Sequence, residues 1–149
     1  MRFLFLAAAL VGLAALPAQA QPRRSAAPQQ TLAVADAPAS VTVTAGGADR
    51  NAVPGSGCSG FIRNGQPSLT VEVSGDGPLA IYAQSGTDTT MLVSDPEGRW
   101  HCSDDANGSN PAVTFARAAR GTYVVWIGTF SPTATAEARV SAVRGQPAW

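Results

Sequence analysis

The chain has 149 residues, 45% of them hydrophobic and only 13% charged, the profile of one globular domain rather than of a disordered chain. Its ten basic residues are all arginine and are balanced by ten acids, giving a formal net charge of zero. That balance offers no basic patch and excludes nucleic acid as an expected partner.

The first element in chain order is a signal segment. Arg2 precedes an apolar run from Phe3 to Leu16, broken only by Gly12, and Ala18-Gln19-Ala20 is the small-x-small pattern of a cleavage site. The run ends at Pro17, short of the roughly 20 apolar residues a membrane-spanning helix needs. We therefore expect residues 1–20 to be removed on export to the periplasm or beyond, with no membrane insertion afterwards. Residues 21–38, rich in Pro, Ala and Gln, read as a flexible lead-in with one short strand around Leu32 to Val34.

From residue 39 to residue 145 the apolar period is two. Val41 and Val43 alternate with threonines before Gly46-Gly47, and Leu69, Val71 and Val73 alternate with Thr70 and Glu72. The turn Ser74-Gly75-Asp76-Gly77-Pro78 then leads to Leu79, Ile81 and Ala83, a hairpin signature. Thr89 to Val93 continues the series, and Asp95-Pro96-Glu97-Gly98 is a turn into Arg99-Trp100-His101-Cys102. Val113 with Phe115, Tyr123 to Ile127, and Ala136 to Ala142 complete eight or nine short strands. A turn near Phe115 to Arg120 is the one helical candidate, and residues 146–149 read as a tail with Trp149 loose. These elements predict an all-β, jelly-roll-like sandwich of antiparallel strands.

Cys58 and Cys102 are the two cysteines, and in an oxidising compartment an even pair has one connectivity, so a disulfide is expected.

Between Asp88 and Asn110 the chain reads Asp-Thr-Thr-Met-Leu-Val-Ser-Asp-Pro-Glu-Gly-Arg-Trp-His-Cys-Ser-Asp-Asp-Ala-Asn-Gly-Ser-Asn, followed by Pro111 and later by Gly121-Thr-Tyr-Val-Val-Trp-Ile-Gly-Thr-Phe130. This order of an Asp-Pro-x-Gly turn, an Asp-Asp loop, Asn-Pro and a Gly-x-Tyr-x-Val-Trp strand resembles the bacterial pre-peptidase C-terminal domain family. The likeness spans roughly Ser40 to Phe130. It implies a jelly-roll-like sandwich akin to collagen-binding domains, one that accompanies secreted peptidases without being proteolytic. Some members of that family bind calcium, or a protein or polysaccharide.

Two site expectations follow. Asp88, Asp95, Asp104, Asp105, Asn107 and Asn110 place six oxygen-bearing side chains in one region, a donor set suited to Ca2+. The competing and preferred reading is that Asp and Asn stand there for turn geometry, since the first and twelfth positions of a calcium loop starting at Ser103 carry Ser103 and Thr114 rather than acids. Trp100 and Tyr82, with Tyr123, Trp126 and Phe130, are candidates for an aromatic binding platform, although Tyr123 and Trp126 point to opposite faces of one strand and Trp126 is expected in the core.

Catalysis lacks its parts. His101 is the single histidine, no Gly-x-Ser-x-Gly elbow is present, and Gly75-Asp76-Gly77-Pro78 lacks a serine nucleophile. Asp104 and Asp105 are adjacent and would point oppositely along a strand, which disfavours a glycosidase pair. The expectation is a non-catalytic exported module that engages a protein or polysaccharide partner. The alternatives are a hydrolase using the loop carboxylates and a purely structural envelope protein.

Overall fold

The computed structural model describes residues 21–35, 37–51, 53 and 57–149. The proposed signal segment lies outside the described residues. Among the described residues all eleven elements are strands: β1 (Gln30–Val34), β2 (Ala39–Ala45), β3 (Asp49–Arg50), β4 (Phe61–Ile62), β5 (Leu69–Val73), β6 (Gly77–Gln84), β7 (Thr89–Ser94), β8 (Trp100–Ser103), β9 (Ala112–Ala118), β10 (Gly121–Thr129) and β11 (Ala136–Val143). The two strands the pattern did not announce, β3 and β4, are two residues each, too short to show a period. The helical candidate after Phe115 is strand, because β9 runs on to Ala118.

Two sheets form. The four-stranded one has the order β2-β11-β6-β9 and is antiparallel throughout. The seven-stranded one is organised on β10, which pairs β5, β7 and β4, while β8 continues beyond β7 and β3 beyond β4. At its far edge β1 pairs β5 in parallel, a departure from the all-antiparallel expectation. The lead-in segment thus supplies a strand of the sandwich.

Alternation explains the core. Leu69, Val71 and Val73 of β5 meet Leu79, Ile81 and Ala83 of β6 and Ala138, Val140 and Ala142 of β11 between the sheets. Tyr123, Val125 and Ile127 of β10 join them, which sends Val124 and Trp126 to the opposite face of the same strand. That outer face is covered as well: Ile62, Leu92, Val124 and Trp126 pack with Trp100 and the two cysteines. Both faces of β10 are therefore dry, and Tyr123 and Trp126 are each 1% exposed.

Candidate functional site

The region from Asp88 to Asn110 links the ends of three loops, and its polar residues divide into groups with different tasks.

The first group is the turn between β7 and β8. Asp95 is 1% exposed and accepts four hydrogen bonds. Oδ1 takes the backbone N–H groups of Glu97 at 3.0 Å and Arg99 at 2.9 Å. Oδ2 takes Arg99 Nε at 2.7 Å and His101 Nε2 at 3.0 Å. Burial alone would push this carboxyl up, but the hydrogen bonds from His101 and Arg99 outweigh it and hold the pKa at about 2. The ring of His101 rests edge-on against Phe115, centroids 4.8 Å apart, and Phe115 in turn meets Tyr123 at 5.1 Å. A carboxylate, a histidine and an arginine thus converge, with the carboxylate saturated and the imidazole resting on Phe115. The bonds to the Glu97 and Arg99 amides order the turn of this hairpin.

The second group is the disulfide. Cys58 and Cys102 are bonded, with Cα atoms 5.6 Å apart, and tie the loop before β4 to β8, as the even cysteine count led us to expect. Beneath the bridge Trp100 leans on Trp126, centroids 5.6 Å apart. The hydroxyl of Ser59 donates to Asp104 Oδ2, fastening the same loop a second time.

The third group is a hairpin tip. Asn107 and Asn110 exchange backbone hydrogen bonds at 3.0 and 3.1 Å, and the Asn110 side-chain oxygen accepts from Ser85 N–H at 2.9 Å. These asparagines stitch the tip to the loop between β6 and β7, which is turn chemistry.

Asp88, Asp104 and Asp105 form the remaining group. The Asp88 carboxyl is pushed up by partial burial, then by the charges of Asp105 and Asp104. None of the three takes part in an ion pair among the described residues. Phe130, 55% exposed, is tied to Asp88 by the backbone, its N–H donating to Asp88 O at 3.1 Å.

The six expected calcium ligands are therefore not one donor set. Asp95 has no oxygen to spare, Asn110 is spent on Ser85, and among the described residues no three His, Cys, Asp or Glu side chains are grouped to hold a metal ion. The aromatic platform is corrected too. Tyr82 is 4% exposed on the outer face of the four-stranded sheet, where Trp149 lies over it at 5.0 Å and Ala148 O accepts its hydroxyl at 3.0 Å. Trp100 belongs to the outer face of the other sheet, so the two rings share no surface. Trp149, read as loose, is the cover of Tyr82.

Sequence reasoning missed Ser59 as the partner of Asp104, whereas Phe130, one of its platform candidates, is 55% exposed. Only the isolated polarity of Ser59-Gly60 hinted at the former.

No family model matches the chain, and no curated protein matches it. Among solved structures it is similar to the pre-peptidase C-terminal domain of collagenase from Bacillus anthracis, at 13% identity and a TM-score of 0.53, covering 82% of this chain and 99% of that one. A second similar structure is Aeromonas hydrophila PliG, a periplasmic inhibitor of g-type lysozyme, at 12% identity and a TM-score of 0.42, covering 79% and 98%. The first likeness bears out the sandwich that the Asp88 to Phe130 motif order implied.

Proposed function

We propose that this chain is a non-catalytic, exported accessory domain that binds a protein partner through the loop end bearing Asp88, Asp104, Asp105 and Phe130. The observation that carries this reading is the backbone bond from Phe130 N–H to Asp88 O, which sets an exposed aromatic residue beside a carboxylate that feels the charges of Asp105 and Asp104. Like charges held together without a counter-charge are relieved when a cationic group arrives, and an aromatic ring adds both contact area and a face for an arginine or lysine. The partner segment is accordingly basic. The disulfide fits residence in the periplasm or outside the cell, where such a bridge persists. Asp104 lies at a partly buried junction and Asp105 at an exposed one, so neither resembles a shielded acid facing a carboxylate across a substrate. That is why binding is preferred to hydrolysis.

The test is an NMR titration of the full chain with an arginine-rich peptide and, separately, with a neutral oligosaccharide. Shifts confined to Ser85–Thr89, Ser103–Asn110 and Phe130 that appear with the peptide and fade with added salt are the expected result. Shifts with the oligosaccharide alone, or turnover of either compound, would overturn the reading.

A further inference from the structure

The two side seams of the sandwich are built differently. At one seam β8 and β9 lock together, with Ser103 Oγ accepting from Ala112 N–H at 3.1 Å and the His101 ring against Phe115. At the other, β1 and β2 end their respective sheets with no strand pairing between them.

On that open side β2 is capped at one residue, Thr44. The carboxamide of Gln29 accepts from Thr44 N–H at 3.0 Å and donates to Thr44 O at 3.1 Å, imitating one residue of a neighbouring strand. No such cap covers β1. In a parallel ladder alternate residues turn their backbone groups toward the partner. Gln30 N–H donates to Ser68 O, which sets the phase: Gln30, Leu32 and Val34 bond to β5, while Thr31 and Ala33 turn N–H and C=O outward. Among the described residues nothing bonds to those outward groups.

An open edge of this kind is a template for another strand unless charge, proline, a bulge or shortness protects it. The edge Gln30-Thr31-Leu32-Ala33-Val34 has no charge and no proline, and its register with β5 is unbroken. The remaining edges each carry some guard: Gln29 occupies β2 at Thr44, β3 is two residues, Asp49 and Arg50, and β9 carries Arg117 on a strand already locked to β8.

We propose that β1 is a self-pairing edge, joining two copies of this chain antiparallel about a two-fold axis at Leu32 and continuing the seven-stranded sheet across both. In that register Thr31 of one copy faces Ala33 of the other, and each such pair exchanges two N–H to C=O bonds, satisfying every outward group of both strands. A two-fold axis demands a strand complementary to itself. Small, uncharged side chains placed symmetrically about Leu32 meet that demand, with Thr31 and Ala33 on the exposed face and Thr31 Oγ1 already engaged with Thr70 Oγ1 at 3.1 Å. Beyond Val34 the shallow cleft formed with Ala35, Val73 and Ser74 leaves room for the second chain to run past the end of the strand. The occupant is a second copy, because the strand itself carries no charge and Glu72, the one charged residue lining that cleft, already accepts from Thr122 Oγ1 at 2.8 Å.

Amide hydrogen exchange on the wild-type chain reads the pairing residue by residue. Raising the concentration from about 10 µM to about 1 mM is expected to slow the Thr31 and Ala33 amides about tenfold, with Leu32 and Val34 slow at both concentrations. Sedimentation should show a dimer appearing over the same range. Ala33→Pro removes an outward donor and no bond to β5, so it should abolish the dimer. Exchange of Thr31 and Ala33 that ignores concentration, or a dimer that leaves both amides fast, would overturn the proposal even if the proline variant failed to fold.

Discussion

Asp95 and His101 meet across the mouth of the β7 to β8 hairpin, Oδ2 to Nε2 at 3.0 Å, in a site where the carboxylate is 1% exposed and can only accept. With Arg99 and two backbone amides it forms a closed set of donors around one acceptor. Asp95→Ala leaves the Glu97 and Arg99 amides without their acceptor and is expected to cost about 2–4 kcal/mol in urea unfolding. Asp95→Asn should recover only part of this, because its amide group confronts donors from Arg99 and His101.

The same carboxylate sets the acid limb of stability. Its folded pKa of about 2 lies below the ordinary value near 3.9, so it contributes stability that is fully present above about pH 4 and is lost as pH falls through about 2. The shift corresponds to about 2–3 kcal/mol at neutral pH. Unfolding free energy measured from pH 5 to pH 2 should fall steeply for the wild type and more gently for Asp95→Asn.

These two expectations bear on what the sequence could and could not reveal. Period-two runs such as Leu69 to Val73 and Ala136 to Val143 were legible because each has one buried and one wetter face. The strand β10 was legible as a strand, but not the fact that both its faces are buried, since the loop that covers Trp126 is brought there by Cys58, 44 residues before its partner. The run of acids and asparagines was visible as a polar region. Its division into a turn anchor, a tip stitch and a trio of carboxylates without ion pairs depends on partners distant in sequence, Ser85 for Asn110 and Ser59 for Asp104, and no local pattern encodes those.

The disulfide is expected to dominate the attachment of that covering loop. In the chain-entropy model, closing a loop across a separation of 44 residues is worth about 4 kcal/mol. A Cys58→Ser, Cys102→Ser double variant should lose most of that amount. Its tryptophan emission should also shift to the red, because Trp126 and Trp100 lie beneath the bridge.

Close approach of the same loop to β10 has a second, independent requirement. A Cβ on Gly128 would lie 2.5 Å from Thr90 Oγ1 and 2.7 Å from Phe61 O, the latter a backbone atom paired across β4 that cannot easily yield. Gly128→Ala should cost about 1–3 kcal/mol in thermal or urea unfolding. Combining it with Thr90→Ala should restore only the share due to the Thr90 hydroxyl, leaving the clashes with Phe61 O and with Ile62 Cγ2 at 2.9 Å.

Charge crowding at the opposite margin of the site predicts an effect of the other sign. The Asp88 carboxyl is pushed up, by partial burial and then by Asp105 and Asp104, so its ionised form weakens the fold at neutral pH and protonation relieves it as pH falls through the raised pKa. Asp88→Asn should therefore raise the melting temperature slightly in low salt. The residue is exposed, so screening at high salt should erase the gain. Millimolar calcium should shift the melting temperature of the wild type no more than the same ionic strength of a monovalent salt, since Asp95 and Asn110 are already committed to other partners. A calcium-specific rise that Asp88→Asn abolishes would instead show that the carboxylate trio closes around the ion.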